Sequence, residues 1–296
     1  MGRRPGPNRC QRTGSRGSGM TGEGLLPRRI DTSRPSQARM YDYWLSGKDN
    51  YAVDREAAAR VREVFPQVAR LARANRQFLE RAVRYCAGQG IDQFIDIGTG
   101  LPHPPNVPDI AREVNPAARV VGVDNDSVVL AHHRALVAVE AGITTVDGDV
   151  RDPDGILADP ELTALIDLDR PVAVLLVAIL HSVRDDEGPA GTIARLTEAM
   201  APGSYLVIAA ATSTGAPAET LTRIEEVYAE ATTPAVFRPE HQLRTWLEPL
   251  HLVAPGLVDV QRWRPDTRQR RTSVRILGGV AHKRSANWPT STPGAA

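Results

Sequence analysis

Phe94-Ile95-Asp96-Ile97-Gly98-Thr99-Gly100-Leu101-Pro102 decides the fold. A short apolar run ends on an acid and turns through two glycines. A buried strand running into a Gly-rich turn and then a helix is the first unit of a nucleotide-binding α/β fold. The glycines let backbone approach a ligand, and the next helix N-terminus offers unpaired N–H groups. Asp96 at the strand end suits a cationic or hydroxyl-bearing ligand and would repel a pyrophosphate.

Outward from there the chain alternates. Strands are expected at Gln93–Ile97, Arg119–Val123, Ile143–Val146, Val172–Val177 and Ser204–Ala210. Helices are expected at Val107–Val114, Val128–Glu140, Pro153–Leu165, Gly188–Met200, Ala218–Thr232 and Glu240–Leu247. Strand six (Leu252–Gln261) and strand seven (Ser273–His282) have no helix between them and are expected as an antiparallel hairpin edge. Upstream, helices are expected over Arg34–Leu45, Asp54–Val64 and Val68–Ala87, the last stopped by Gly88 and Gly90. The fold class is thus a doubly wound, Rossmann-like α/β sheet of seven strands, strand seven antiparallel, with an N-terminal helical cap. Four segments follow: a disordered basic tail (1–29), the helical cap or lid (30–90), the ligand-binding domain (91–284) and a flexible tail (285–296).

Charge is nearly balanced, 36 basic against 35 acidic residues. Residues 1–29 hold seven arginines and one acid, a net +6, which leaves −5 for the rest. A general nucleic-acid surface is not implied. The two cysteines, Cys10 and Cys86, make no disulfide framework and fit a reducing cytoplasm. The longest apolar run, Val172–Leu180, has nine residues and is too short to span a bilayer. The sequence gives no sign of oligomeric state.

The candidate site gathers at successive strand ends. Asp96, Gly98 and Gly100 close strand one, and Asp124-Asn125 closes strand two, 26 residues after Gly98. An acid there takes ribose hydroxyls. Gly148-Asp149-Val150 follows strand three. Singly, Asp124 reads as a helix cap and Asp149 as a turn residue. His181, after strand four, is the candidate base; its ordinary reading is a hydrogen-bonded structural histidine. Arg73, Asn75 and Arg76 read as the solvated face of a helix, or one of them reaches an anionic group. Gly47-Lys48 is not a P-loop, because Asp49 stands where Ser or Thr is needed. No His/Cys/Asp/Glu cluster has metal spacing.

These residues resemble class I S-adenosylmethionine-dependent methyltransferases over about residues 30–284. The resemblance implies that Asp96, Gly98 and Gly100 embrace the methionine part, Asp124 the ribose, and Asp149 with Val150 the adenine edge. More narrowly, six runs are similar to a bacterial family of methyltransferases first catalogued as a domain of unknown function. They are Tyr41-Asp42-Tyr43, Gly47-Lys48-Asp49-Asn50-Tyr51, Ala74-Asn75-Arg76, Asp96 to Pro102, Val123-Asp124-Asn125-Asp126 and Pro202 to Val207. The chain departs from it at Ser46, where a second glycine is usual, and at Ala210-Ala211, where Ser-His is frequent. The implied cofactor is S-adenosylmethionine and the expected partner a small-molecule methyl acceptor. Lys48 or Arg76 would meet the methionine carboxylate under an N-terminal lid over Tyr41–Tyr51. Two rivals remain. A nicotinamide-dependent oxidoreductase is disfavoured by His103 at the third glycine position of G-x-G-x-x-G and by the lack of Tyr-x-x-x-Lys. A non-catalytic module that binds the cofactor would bind without turnover.

Overall fold

The structure is a computed structural model and describes residues 1–2, 32–267 and 269–284. The expected tails, 1–29 (beyond Met1 and Gly2) and 285–296, lie outside the described residues, as does Cys10.

Three helices come first: α1 (Gln37–Trp44), α2 (Ala52–Val64) and α3 (Val68–Gly88). Then strand and helix alternate through β1 (Gln93–Ile97), α4 (Val107–Val114), β2 (Arg119–Asp124), α5 (Ser127–Leu136) and β3 (Ile143–Asp147). Next come α6 (Pro153–Leu157), α7 (Pro160–Leu165), β4 (Ala173–Val177), α8 (Pro189–Ala199) and β5 (Tyr205–Thr212). The chain continues through α9 (Ala218–Ala229), α10 (Glu240–Thr245), β6 (His251–Leu252), β7 (Val258–Asp259) and β8 (Arg275–His282).

All five residues of β1 are buried, because helices cover both faces of the sheet. Successive side chains go to opposite cores. Phe94 packs with Val120, Val207 and the N-terminal helices, while Ile95 packs with Val121, Val174 and Leu206. Met40, Trp44 and Phe78 belong to the same buried cluster as Phe94, so α1–α3 and the sheet share one core.

The sheet order is β3-β2-β1-β4-β5-β8-β6, with β7 also paired to β8. β1 through β5 are parallel, and β8 runs antiparallel to β5. The chain winds outward from β1 to β3, then returns to place β4 on the other side of β1. That reversal is the topological switch point, where such sheets bind ligands.

Two expected elements divide. Strand six becomes β6 and β7, each two residues, both paired to β8. Between them Pro255 has no N–H to give a ladder, and Gly256 turns at φ +89°. The expected helix Pro153–Leu165 becomes α6 and α7. Asp159 caps the second, its Oδ1 accepting from the N–H of Glu161 and Leu162, and Pro160 takes the first helical position. Among the described residues no helix is long and apolar enough to cross a membrane.

Candidate functional site

A cavity of about 350 Å³ lies at the carboxyl ends of β1, β2 and β4 under α1. Asp96, Gly98, Gly100, Asp124, Asn125 and Arg76 all line it. Gly98 turns at φ +76°, and a Cβ there would fall 2.8 Å from the Ile179 side chain. Only glycine serves at that turn.

The loop is held from below. Gly100 N–H donates to Asp124 Oδ2 at 3.0 Å, and Asp126 N–H donates to Asp124 Oδ1 at 3.0 Å. His133 Nε2 donates to the Gly100 carbonyl at 2.8 Å. His133 is buried, and its pKa is pushed down to about 4, first by desolvation. It is therefore a neutral strut under the glycine turn. Asp126 also caps α5, accepting from Val128 N–H.

Burial raises the carboxyl groups of Asp96 and Asp124 to about 6 each. The Thr99 hydroxyl, donating to Asp96 Oδ2 at 2.9 Å, opposes the shift at Asp96. Both carboxylates sit where burial leaves them short of solvation, which a ligand with hydroxyl or ammonium donors would relieve.

Two further polar atoms fit an amino-acid ligand. Asn75 is 2% exposed and lines the cleft. Its Nδ2 donates to Tyr41 Oη at 3.0 Å, and Tyr41 donates onward to the Ala72 carbonyl at 2.9 Å. That chain fixes the amide and leaves buried Asn75 Oδ1 with no partner among the described residues. Arg76 donates from Nη2 to the carbonyls of His103 and Pro105, and its buried Nε has none. An unpaired acceptor and an unpaired cationic donor match the ammonium and carboxylate of a methionine moiety. The residues present fit S-adenosylmethionine.

Other expected site residues fall elsewhere. Lys48 is exposed and does not line the cleft. Its turn is built on Asp42, which accepts from Asp49 N–H at 3.1 Å and Asn50 Nδ2 at 2.7 Å. A Cβ on Gly47 would lie 1.8 Å from Asp42 Oδ1. Ser46 adopts φ +70°, which explains why glycine is usual at that position. Asp149 and Val150 also lie outside the cleft lining. The Asp149 carboxylate accepts from Asn125 Nδ2 at 2.9 Å and from Arg151 Nε at 2.8 Å. The Arg151 hydrogen bonds, outweighing desolvation, hold its pKa down near 2. Asn125 and Arg151 themselves reach the cleft.

His181 is not on the large cleft. It lines a second cavity of about 80 Å³. Gln37 Nε2 donates to the Ala178 carbonyl at 3.0 Å and faces His181 Nε2 at 3.1 Å, while Gln37 Oε1 accepts from the Ser182 hydroxyl. On the other side of the ring the Ala211 N–H donates to His181 Nδ1 at 3.5 Å. Desolvation, with Arg238 nearby, pushes the His181 pKa down to about 4. Among the described residues no group of three His, Cys, Asp or Glu is arranged to hold a metal ion.

A sheet with this strand order, and a cleft with buried Asp96 and half-buried Asp124 beside a glycine turn at its switch point, define a class I S-adenosylmethionine-dependent methyltransferase. The family model described as S-adenosyl methyltransferase matches residues 23–284, and the chain belongs to that family. Its cofactor is S-adenosylmethionine. A solved DUF574 family protein from Streptomyces avermitilis is 40% identical, with TM-score 0.82 over 86% of this chain and 100% of that one. A candidate methyltransferase from Thermobifida fusca is 34% identical, with TM-score 0.82 over 88% of this chain and 100% of that one. No curated protein matches the chain.

Proposed function

We propose that this methyltransferase acts on a small-molecule acceptor in the cytoplasm, by direct transfer of the cofactor's methyl group. The observation that carries the reading is the pairing of a polar cleft with an adjoining small cavity at the switch point. Bound S-adenosylmethionine supplies a methyl already activated on a sulfonium. The protein's work is then alignment, which can contribute about 7–11 kcal/mol. In this reading Asp124 accepts the ribose hydroxyls. Asp96 and Asn75 Oδ1 take the ammonium, and Arg76 Nε takes the carboxylate. Asp149 acts at one remove, holding Asn125 and Arg151 against the cleft. Gly98 lets the backbone pass close to the ligand.

His181 serves the acceptor side. Its neutral ring and its bond to Gln37 fix the wall between cleft and cavity. The test is a screen of small acceptors with labelled methyl donor. With an acceptor in hand, His181→Ala is expected to lower turnover about tenfold or more, while cofactor affinity stays nearly unchanged. Parallel loss of folding and activity would make His181 structural. Cofactor binding without transfer to any acceptor would favour the non-catalytic module.

A further inference from the structure

We propose that the acceptor is a neutral, ring-sized apolar molecule, and that it occupies the second cavity, behind Gln37, Tyr41 and Ala178. The inference rests on the methyltransferase reading and names its substrate class.

Position comes first. An acceptor atom must touch the methyl group, so its site must adjoin the cofactor cleft. Gln37, Tyr41 and Ala178 line both the cleft and this cavity. A smaller cavity near Asp96 and His133 also borders the cleft, but at about 10 Å³ it holds no more than a water. The shared wall is also strained: Ala178 sits at φ +62° without being glycine. Such backbone is strained for a non-glycine residue and collects at functional sites.

The lining sets the chemistry. Among the described residues no Asp, Glu, Lys or Arg lines this cavity. A charged ligand would lose its hydration there with no counter-charge. Tyr41, Trp44, Phe65, Tyr228 and Phe237 supply aromatic walls. The whole chain holds only 14 Phe, Trp and Tyr residues, so this is a concentration. Aromatic walls grip a flat ring by edge and face contacts. The polar side-chain groups are few: the Gln37 amide and the His181 ring, hydrogen-bonded to each other beside the shared wall, and the hydroxyls of Tyr41 and Tyr228. The first two face the side on which the acceptor's nucleophilic atom must lie. At about 80 Å³, smaller than the roughly 150 Å³ of an apolar cavity that admits benzene, the space takes one ring at most.

The probe is 4-fluorophenol, followed by fluorine NMR on the full chain, with and without saturating S-adenosylhomocysteine. Two controls are 4-fluorobenzoate, of similar size but anionic, and 2-deoxy-2-fluoroglucose, neutral but polar. The expected result is that 4-fluorophenol binds about tenfold or more tighter than either control. Ala235→Leu fills the cavity from a partly buried position that does not itself line the cleft, two residues beyond Thr233, which does. It is expected to weaken 4-fluorophenol about tenfold and to leave S-adenosylhomocysteine affinity within about twofold. Equal binding of a control, no 4-fluorophenol binding, or no effect of a folded Ala235→Leu variant would overturn the proposal. If that variant fails to fold, the three wild-type titrations decide alone. Failure of S-adenosylhomocysteine to bind would sink the cofactor reading separately, and the cofactor-free titration would still judge the cavity.

Discussion

Asp96 carries a measurable cost. Its pKa rises from 3.8 to about 6 on folding, chiefly by desolvation. Between those values the folded chain holds a proton that the unfolded chain has released. Stability from this group is therefore present at low pH and lost as pH rises from about 4 to about 6. Asp96→Asn keeps an acceptor for the Thr99 hydroxyl and removes the charge. The variant is expected to be more stable than wild type above pH 6, by about 1–3 kcal/mol in urea unfolding, with the two converging near pH 4. Cofactor affinity should move oppositely, falling about tenfold. A variant less stable than wild type at neutral pH would contradict this reading of Asp96. At this scale the strand-end pattern was enough to bring Asp96, Gly98, Gly100, Asp124 and Asn125 together, and all five line the cleft. Asn75 was harder to see. It lies four residues after Leu71 and four before Leu79, on the buried stripe of α3. A polar residue on an apolar stripe is the signal that reading it as a solvated face passed over. Asp149 was a different difficulty. No spacing tells that Arg151, two residues on, takes its carboxylate.

Among the elements, α1 matters most to the site, since Gln37, Arg39, Tyr41 and Asp42 all border the cleft. It is bolted by a buried ion pair. Arg39 Nε lies 2.8 Å from Asp54 Oδ2, with the two side chains 2% and 0% exposed. Asp54 also accepts from Ser36 N–H at 2.9 Å and Tyr51 N–H at 2.8 Å, so one carboxylate joins α1 to the start of α2. Arg39→Ala strands that charge and is expected to cost about 3–5 kcal/mol in urea unfolding. A loss under about 1 kcal/mol would show that α1 is not held this way. The strands from β1 to β5 were legible because each is a short apolar run closed by turn residues. β6 and β7 were not, because Val253, Leu257 and Val260 are all buried and read as one continuous strand, while Pro255 and Gly256 break the pairing with β8 between them, and a burial pattern alone does not show the break.

For the molecule as a whole, the strand order places one polar cleft and one apolar cavity on either side of the wall at Ala178. The alternation of strands and helices made the parallel sheet readable, and the lack of a helix before the last strand made its antiparallel sense readable. The cavity was not readable, since its walls come from α1, α2, α3, α9, β5 and β8, which no local pattern brings together. The account stands on the cleft being the cofactor site. The measurement that tests this most directly is calorimetric titration of S-adenosylhomocysteine into the full chain and into Asp124→Ala. The account predicts saturable single-site binding by the wild type, weakened by about 2–4 kcal/mol in the variant as charge-assisted hydrogen bonds to Asp124 are lost. Absence of binding, or an affinity unchanged by Asp124→Ala in a folded chain, would contradict it.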